Sequence, residues 1–357
     1  MRKWVLLAVC LAASLPTYGQ KKDSDSKALL KDPRALLSAA APFYNFSDSS
    51  LKPWYMHVTY QLYDDSGKPA QRGAFDYWWG SPKIYRMGWS RGGSAYTIWH
   101  TADGRESYEA IGDQIQYFER QLESALLAPL PMAEELDRNK SSLERKNRKV
   151  GQQNLPCFMV IPQMPLEESA RAMDDVPLGM FPTYCFDSST SALRMVFSWD
   201  SILEVFNRVA KVQGRYLPQD IRFFEAGRPI LSATVETVSA LDPSDPGLKP
   251  APDAKLLEKP GRVPVDQKTI NGYLTKKVFP LYPADAKEAH VSGTVEMRVV
   301  IGTDGAVHEI QVVKAPWPSL VASAMWAVSQ WQYKPYMLNG KPVEVETTIH
   351  VIFTLGG

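Results

Sequence analysis

Apolar and polar residues alternate most clearly in the last quarter of the chain. Apolar side chains occupy every second position from Val295 to Ile301, and Glu296 and Arg298 lie between them. When apolar residues recur at every second position, they lie on one face of a β-strand and the residues between them lie on the other. Asp304-Gly305 then suits a tight hairpin turn. The pattern therefore predicts a strand, a turn and a second strand that ends near Lys314.

The period then changes to that of a helix and back again. After Pro316-Trp317-Pro318, Ser319 can cap a helix with one apolar face that contains Leu320, Ala324, Ala327, Val328 and Trp331. Pro335 stops this helix and Asn339-Gly340 provides a turn. Between residues 343 and 355 the odd-numbered positions are predicted to face the helix and the even-numbered ones the solvent.

A second β-rich region extends from residue 45 to residue 241. Its aromatic and β-branched runs are separated by turn signals such as Asp65-Ser66-Gly67, and the glycine-rich Ser90–Ser94 is predicted as a hairpin loop. Some runs, such as residues 75–79, are apolar on both faces, so something must cover the second face. A helical pattern over Gln121–Asp137, interrupted by Pro129 and Pro131, is the candidate cover.

These patterns together predict an α+β chain with two folded domains. The first, residues 45–241, is a curved antiparallel sheet with a helical cover that could form a half-barrel, and the second, residues 267–357, has the order ββαβ. Residues 242–266 contain six prolines and few β-branched residues, which indicates an interdomain linker. Fully extended as polyproline II, this linker would span at most about 80 Å.

The N-terminus has the pattern of an export signal. Arg2 and Lys3 precede an apolar run from Trp4 to Leu15, which predicts a signal peptide over residues 1–19, cleaved after Gly19, and a leader over residues 20–44. The expected location is the periplasm. The alternative is an uncleaved N-terminus that anchors the protein in the inner membrane, although a spanning helix needs about 20 apolar residues.

The composition of the chain argues against several classes of function. The chain has 357 residues with 40 basic and 39 acidic side chains, so we expect no nucleic-acid partner. Cys157 and Cys185 remain after the predicted cleavage and are expected to form a disulfide in an oxidising compartment. The five histidines are scattered and lack the spacing of metal ligands. The sequence also has no motif of a phosphate-binding loop. We therefore expect no enzymatic activity, no metal and no cofactor.

Several motifs in the C-terminal region occur together in one order. They are Tyr282-Pro283 with Ala286, Gly293-Thr294-Val295, Asp304-Gly305-Ala306-Val307, Trp331-Gln332-Tyr333-Lys334-Pro335 and Asn339-Gly340-Lys341-Pro342-Val343. In these residues the segment 267–357 resembles the TonB C-terminal family. The resemblance implies a periplasmic protein that binds outer-membrane transport receptors by adding a receptor strand beside its own third strand, and that transduces energy for transport.

Carried over to this sequence, the docking edge consists of Val343, Glu344, Val345, Glu346, Thr347, Thr348, Ile349, His350 and Val351. The partner would be a TonB-dependent receptor or another periplasmic protein, because a strand edge offers unpaired backbone groups to an extended peptide. Pairing of this edge in a homodimer, or its protection by the charged side chains, is the alternative.

The aromatic strands of residues 45–240 resemble, more diffusely, the half-barrel carriers of outer-membrane lipoprotein sorting. This resemblance implies an apolar cavity and an alternative function, in which the protein carries a lipid or lipoprotein and the TonB-like module docks it. An ordinary sheet-and-helix core would use the same tryptophans. Binding of hydrophobic probes would favour the carrier, and capture of receptor peptides would favour the docking protein.

Overall fold

The structure is a computed structural model that describes residues 32–355 except 139, 151, 167–175, 191, 200 and 258–260. The predicted signal peptide and the first part of the leader lie outside the described residues. Within the described part of the chain, no helix is long and apolar enough to cross a membrane.

Thirteen strands form one large antiparallel sheet in the order β13-β5-β4-β3-β2-β1-β12-β11-β10-β9-β8-β7-β6. The strands are β1 (Trp54–Tyr63), β2 (Pro69–Ser81), β3 (Ile84–Arg91), β4 (Ser94–His100), β5 (Glu106–Ile111), β6 (Ser142–Val150), β7 (Gln153–Ile161), β8 (Thr183–Phe186), β9 (Leu193–Ser198), β10 (Ile202–Val212), β11 (Arg215–Glu225), β12 (Arg228–Ala240) and β13 (Lys255–Leu257). The β-rich character of the first domain is confirmed.

Helices cover one face of this sheet. They are α1 (Pro33–Ala40), followed by a 3-10 turn over Ala41–Tyr44, then α2 (Tyr117–Leu127) and α3 (Ala133–Arg138). The helical pattern predicted over residues 121–137 is thus two helices, because Pro129 and Pro131 fall in the break between α2 and α3 and proline cannot continue a helix. The last part of the predicted leader belongs to this domain, since Leu37 and Tyr44 are buried in its core.

The sheet curves around α2. Glu119 of α2 binds Arg91 of β3, while Tyr117 and Phe118 of the same helix pack against the cluster that contains Ile202 of β10. β3 and β10 are five positions apart in the strand order, or about 24 Å along a flat sheet. The eleven residues of α2 span only about 16 Å, so strands this far apart reach the helix because the sheet bends toward it.

A buried polar cluster fixes the N-terminus of α2 to the sheet. The Arg91 guanidinium donates to Glu119 Oε1 over 2.9 Å, and both side chains are less than 7% exposed. The Tyr60 hydroxyl donates to the same oxygen, and the backbone N–H of Gln116 donates to Glu119 Oε2 over 2.7 Å. Gly73 leaves room for this contact, since a Cβ there would lie 2.2 Å from the Tyr60 ring. Removing one charge of such a pair leaves the other buried and unpaired.

The proline-rich stretch covers part of the opposite face of the sheet. Trp99 Nε1 donates to the carbonyl of Gly247 over 3.2 Å, and Leu248 is buried. The Arg86 guanidinium lies 4.0 Å above the ring of Trp78 and 5.3 Å from that of Trp99. Because β13 also pairs with β5, the stretch 242–266 is not the extended spacer that its prolines suggest.

The predicted disulfide is confirmed. Cys157 of β7 and Cys185 of β8 are directly opposite each other in adjacent antiparallel strands, and a bond joins their sulfur atoms. Both residues are fully buried. The basic segment Arg145–Lys149 lies in the edge strand β6, which forms a hairpin with β7.

A smaller sheet contains the C-terminal residues in the order β14-β21-β16-β17. Its strands are β14 (Val263–Pro264), β16 (Gly293–Ile301), β17 (Val307–Lys314) and β21 (Val345–Phe353); its helices are α4 (Gln267–Asn271), α5 (Ala284–Glu288) and α6 (Pro318–Ser329); and the short strands β15 (Leu274–Lys276), β18 (Gln332–Tyr333), β19 (Tyr336–Leu338) and β20 (Lys341–Val343) form two further pairs. The predicted order of two hairpin strands, a helix and a last strand is observed, with β14 as an additional strand.

Helix α6 is buried over most of its surface. All of its residues except Met325 and Ser329 are buried. Leu320, Ala324 and Val328 pack with the strands of the smaller sheet, as the one-face pattern predicts. Trp326 and Ala327 instead pack against Ile202 of the large sheet. A helix that is apolar all round needs partners on both sides, and α6 finds them in the two domains.

Further contacts join the two domains around α6. The backbone N–H of Ala315 donates to the carbonyl of Pro165 over 3.2 Å, and Gln332 Nε2 donates to Gln114 Oε1 over 2.8 Å. Phe181, from the segment between β7 and β8, is fully buried within the core of the smaller sheet. The two domains therefore share the apolar cluster around the smaller sheet, which is separate from the main core of the large sheet.

This shared core predicts one cooperative unfolding transition. Trp326→Ala removes a side chain that is 7% exposed between the domains, which costs about 3–5 kcal/mol for a buried tryptophan. We expect the variant to show two separate transitions in calorimetry. Ile352→Ala, at a position 69% exposed, is the control and should unfold like the native chain. Two transitions in the native chain would contradict the shared core.

A buried carboxyl makes stability depend on pH. Glu204 of β10 is 8% exposed, and desolvation by burial raises its pKa to about 8. A carboxyl with a raised folded-state pKa favours the folded state below its unfolded pKa, near 4.5, and this contribution is lost as the pH rises through about 8.

We therefore expect Glu204→Gln to be more stable than the native chain at pH 8.5 and equally stable at pH 4.5. The gain in Tm should be several degrees, since 1 kcal/mol corresponds to about 2–4 °C in a domain of this size. Thermal melts across this range test it, with the exposed Glu236→Gln as the control. A gain that does not change with pH would rule out ionisation of Glu204 as its cause.

Candidate docking edge

The side chains of β21 alternate between the core and the surface as the sequence predicts. The odd-numbered residues from Val345 to Phe353 are buried, and the even-numbered residues are partly or fully exposed. Val343, in β20 just before β21, is buried as well. Leu355 differs from the prediction, with 37% exposure, because β21 ends at Phe353 and Leu355 lies beyond the sheet.

The backbone N–H and C=O groups of the even-numbered residues in β21 point toward the outer edge of the sheet. On its inner side β21 pairs with β16 from Val345 to Phe353. On its outer side the carbonyls of Glu344 and Glu346 accept hydrogen bonds, and the N–H of His350 donates one. Since N–H and C=O groups alternate in direction along a strand, those of Thr348 also point outward.

Part of this outer edge is occupied by the chain itself. β14 runs parallel to β21, with Val263 beside Val345 and Pro264 beside Glu346. The N–H groups of Val263 and Val265 donate to the carbonyls of Glu344 and Glu346 over 2.9 and 3.0 Å. The first residues of β21, the predicted edge strand, are therefore paired on both sides, by β16 and by β14. From Thr348 onward, β21 continues past the end of β14.

Side chains on both sides of β14 hold it in place. Arg262 forms ion pairs with Glu309 over 2.5 Å and with Glu344 over 3.2 Å. The hydrogen bonds to these two carboxylates raise the pKa of Arg262. At the other end, the N–H of His350 donates to Gln267 Oε1 over 3.2 Å, and the imidazole Nδ1 lies 2.9 Å from the same oxygen.

A groove opens where β14 leaves the strand edge. It has a volume of about 480 Å³ and is lined by Pro264, Val265, Asp266, Gln267, Arg298, Glu346, Thr347, Thr348 and His350. In this groove Arg298 lies 3.8 Å from the Glu346 carboxylate, and His350 Nε2 lies 3.9 Å from the Glu296 carboxylate. These groups are solvent-exposed and add little binding energy by themselves. Backbone groups and shape are thus the main features that the groove offers.

The structure places seven of the nine predicted edge residues, Val345–Val351, in β21, and β14 pairs with the beginning of that strand on its outer side. Val343 pairs instead with Tyr336 of β19, and Glu344 lies between β20 and β21. What the sequence prediction missed is the segment Arg262–Gln267. Its signal is weak, since Val263 and Val265 alternate around Pro264 at the end of a proline-rich stretch. Among the described residues, no group of three or more His, Cys, Asp or Glu could hold a metal ion.

A polar atom of β21 is buried without a partner. Thr347 is 4% exposed, and its Oγ1 has no hydrogen-bond partner among the residues that the structure describes. An unsatisfied buried hydroxyl costs free energy, whereas valine has the same shape and no polar atom. We expect Thr347→Val to raise the free energy of unfolding by about 1 kcal/mol. Thr348→Val, on the solvent side, is the matched control, and equal effects in urea titrations would contradict this assignment.

Solved structures provide fold comparisons for both parts of the chain. A LolA superfamily protein from Nitrosomonas europaea is 7% identical, with 58% of this chain and 93% of that chain covered and a TM-score of 0.34. A DUF1329 family protein from Desulfovibrio piger is 11% identical, with 59% and 92% covered and a TM-score of 0.36. The TonB C-terminal domain of Pseudomonas aeruginosa is 25% identical, with 24% and 86% covered and a TM-score of 0.22. With such low TM-scores, none of these likenesses carries a functional argument.

No curated protein matches the chain. The family comparison is more specific, because it falls on the strands and the helix described above. A sequence model of the Gram-negative bacterial TonB protein C-terminal family matches residues 279–355, which include α5, β16, β17, α6 and β21. The resemblance predicted from the motifs is confirmed, and this segment of the chain is a match to the TonB C-terminal family.

Proposed function

We propose that this protein is a periplasmic docking protein that binds an extended segment of a TonB-dependent outer-membrane receptor as an added strand on the outer edge of β21. The observation that carries the proposal is that this edge already holds a strand. β14 pairs with it in parallel, and the N–H groups of Val263 and Val265 donate to the carbonyls of Glu344 and Glu346 over 2.9 and 3.0 Å. The edge therefore has the geometry to accept a parallel peptide.

Strand addition divides affinity and specificity between backbone and side chains. The outward backbone groups of Thr348, His350 and Ile352 continue the line that Glu344 and Glu346 begin. The groove beside them offers Arg298 and Glu346 to the side chains of an incoming peptide. A receptor segment would gain backbone hydrogen bonds along β21 and selectivity from this groove.

The family resemblance also implies energy transduction, which is a separate step from docking. Docking requires the strand edge alone, whereas transduction also requires a connection to a proton-driven motor. The proposal is limited to docking. A receptor segment exposed to the periplasm fits the export signal predicted at residues 1–19.

A carrier function for the large sheet requires an apolar cavity. The face covered by the helices is filled by side chains that are less than 3% exposed, including Phe46, Trp54, Phe75, Tyr77, Trp79 and Phe158. A cavity between β3, β4 and α2 has a volume of about 10 Å³, which suits a water molecule and not an acyl chain. This packing favours a structural role for the large sheet, so docking is the better-supported function.

The test is a substitution that removes one outward backbone donor. Thr348→Pro deletes the N–H that an added strand would use, and proline is tolerated on an edge whose N–H faces solvent. We expect binding to a purified TonB-dependent receptor to weaken about tenfold. Thr348→Val retains the N–H and should bind within about twofold of the native chain. Fluorescence anisotropy or calorimetry measures both affinities.

Two controls separate docking by strand addition from other modes of binding. A receptor that lacks its periplasm-facing docking segment should bind neither the native chain nor the valine variant. Sedimentation of the protein alone reports a homodimer through the same edge. Equal receptor affinity for the proline and valine variants would contradict strand addition at β21.

A further inference from the structure

The segment that occupies the docking edge has the features of a built-in competitor. We propose that Arg262–Gln267 is an autoinhibitory strand, which must leave β21 before a receptor segment can pair along the whole edge. This inference rests on the proposed docking function, because it assigns a regulator to the same edge.

The backbone of the segment is suited to one-sided pairing. The N–H groups of Val263 and Val265 point toward β21 and donate to it. Pro264 lies between them, where a backbone N–H would point away from β21. Proline lacks that donor, so it costs this pairing nothing and makes the outer side of β14 a poor template for another strand. β14 therefore ends the sheet while it occupies the docking edge.

Side chains fix the register of the segment. Arg262 bridges Glu344 and Glu309, which belong to different parts of the smaller domain. Downstream, the Asp266 carboxylate accepts from the N–H of Thr269 over 2.9 Å and caps α4, whose Ile270 is fully buried. The segment is thus anchored at its C-terminal end by α4 and held at its N-terminal end by exposed ion pairs. Exposed ion pairs contribute little, so the N-terminal end is the end that can detach.

The pairing is also short enough to be reversed. β14 and β21 share two residue pairs, whereas β16 and β21 share nine. Beyond Thr348 the edge continues to Phe353, with Ile352 69% exposed. A partner strand that pairs near Ile352 meets Gln267 at His350 before it reaches β14, so release of β14 has to begin at its other end, where Val263 bonds to Glu344.

Attachment to the same chain makes the weak strand an effective inhibitor. A short tether gives a local concentration on the order of millimolar. A free peptide with the same intrinsic affinity at about 10 µM would then occupy only about 1% of the edges. A receptor segment has to bind more tightly than β14, or use the uncovered part of the edge, to compete.

The test uses the segment itself as the probe. A fluorescent synthetic peptide of residues 261–267, Gly-Arg-Val-Pro-Val-Asp-Gln, is titrated onto the full chain. In the variant Val263→Pro/Val265→Pro both N–H donors to β21 are absent, so the internal strand is weakened. In the control Val263→Thr/Val265→Thr both donors and the β-branched shape remain. We expect the peptide to bind the proline variant at least about tenfold more tightly than the native chain or the threonine control.

A second pair of variants covers the case in which the double proline variant does not fold. Arg262→Gln removes the two ion pairs from the internal strand but leaves Arg262 in the peptide, so the peptide should bind about two- to fivefold more tightly than to the native chain. Arg228→Gln, whose arginine pairs with Glu225 in the large sheet, is the control and should leave peptide binding unchanged.

The outcomes distinguish the two proposals. Equal peptide binding to the native chain and to every variant would overturn autoinhibition while leaving strand addition intact. No binding to any folded variant at millimolar peptide would overturn both, because the edge would then not accept even its own strand. Tighter binding to the proline or glutamine variant alone supports an edge that is closed by residues 262–267.

Discussion

The structure depends on a helix that is buried except along the strip of Met325 and Ser329. Helix α6 is apolar all round, and it cannot be stable on the surface of the smaller sheet alone. The large sheet supplies the second wall through Ile202, which packs against Trp326 and Ala327. This constraint packs the two sheets against each other through α6. It also fixes where the outer edge of β21 lies relative to the larger domain.

The proline-rich stretch between the domains has a different role from that of a spacer. Within a few residues it adds β13 to the large sheet and β14 to the smaller one. Its earlier part covers Trp99 through the carbonyl of Gly247. The same stretch supplies an edge strand to both sheets. Whether β14 occupies the β21 edge therefore depends on how this stretch packs on the two domains.

Sequence periodicity predicted the local elements well, because each depends on neighbours along the chain. The alternation in β21, the hairpin around Ser90–Ser94 and the break in the cover helix at Pro129 are all local features. The two cysteines could be paired because only two remain after the predicted signal peptide. The C-terminal motifs predicted the right family for residues 279–355.

Contacts between distant segments were not predictable in the same way. The hairpin prediction for Ser90–Ser94 is correct, but it did not reveal the buried ion pair between Arg91 and Glu119. The apolar residues Val321 and Trp326 signal a second buried face on α6, although nothing in the sequence says what covers it. β14 was missed because two residue pairs leave no detectable period. The candidate edge was therefore predicted from sequence, whereas its internal occupant was not.

The most direct test of the account is a structure of the full chain bound to the docking segment of a TonB-dependent receptor. The account predicts that the receptor segment lies parallel to β21 along Glu344 to Ile352, with Val263 and Val265 no longer bonded to β21. A complex in which β14 remains paired with Val345 and Glu346 while the receptor segment binds elsewhere would contradict it.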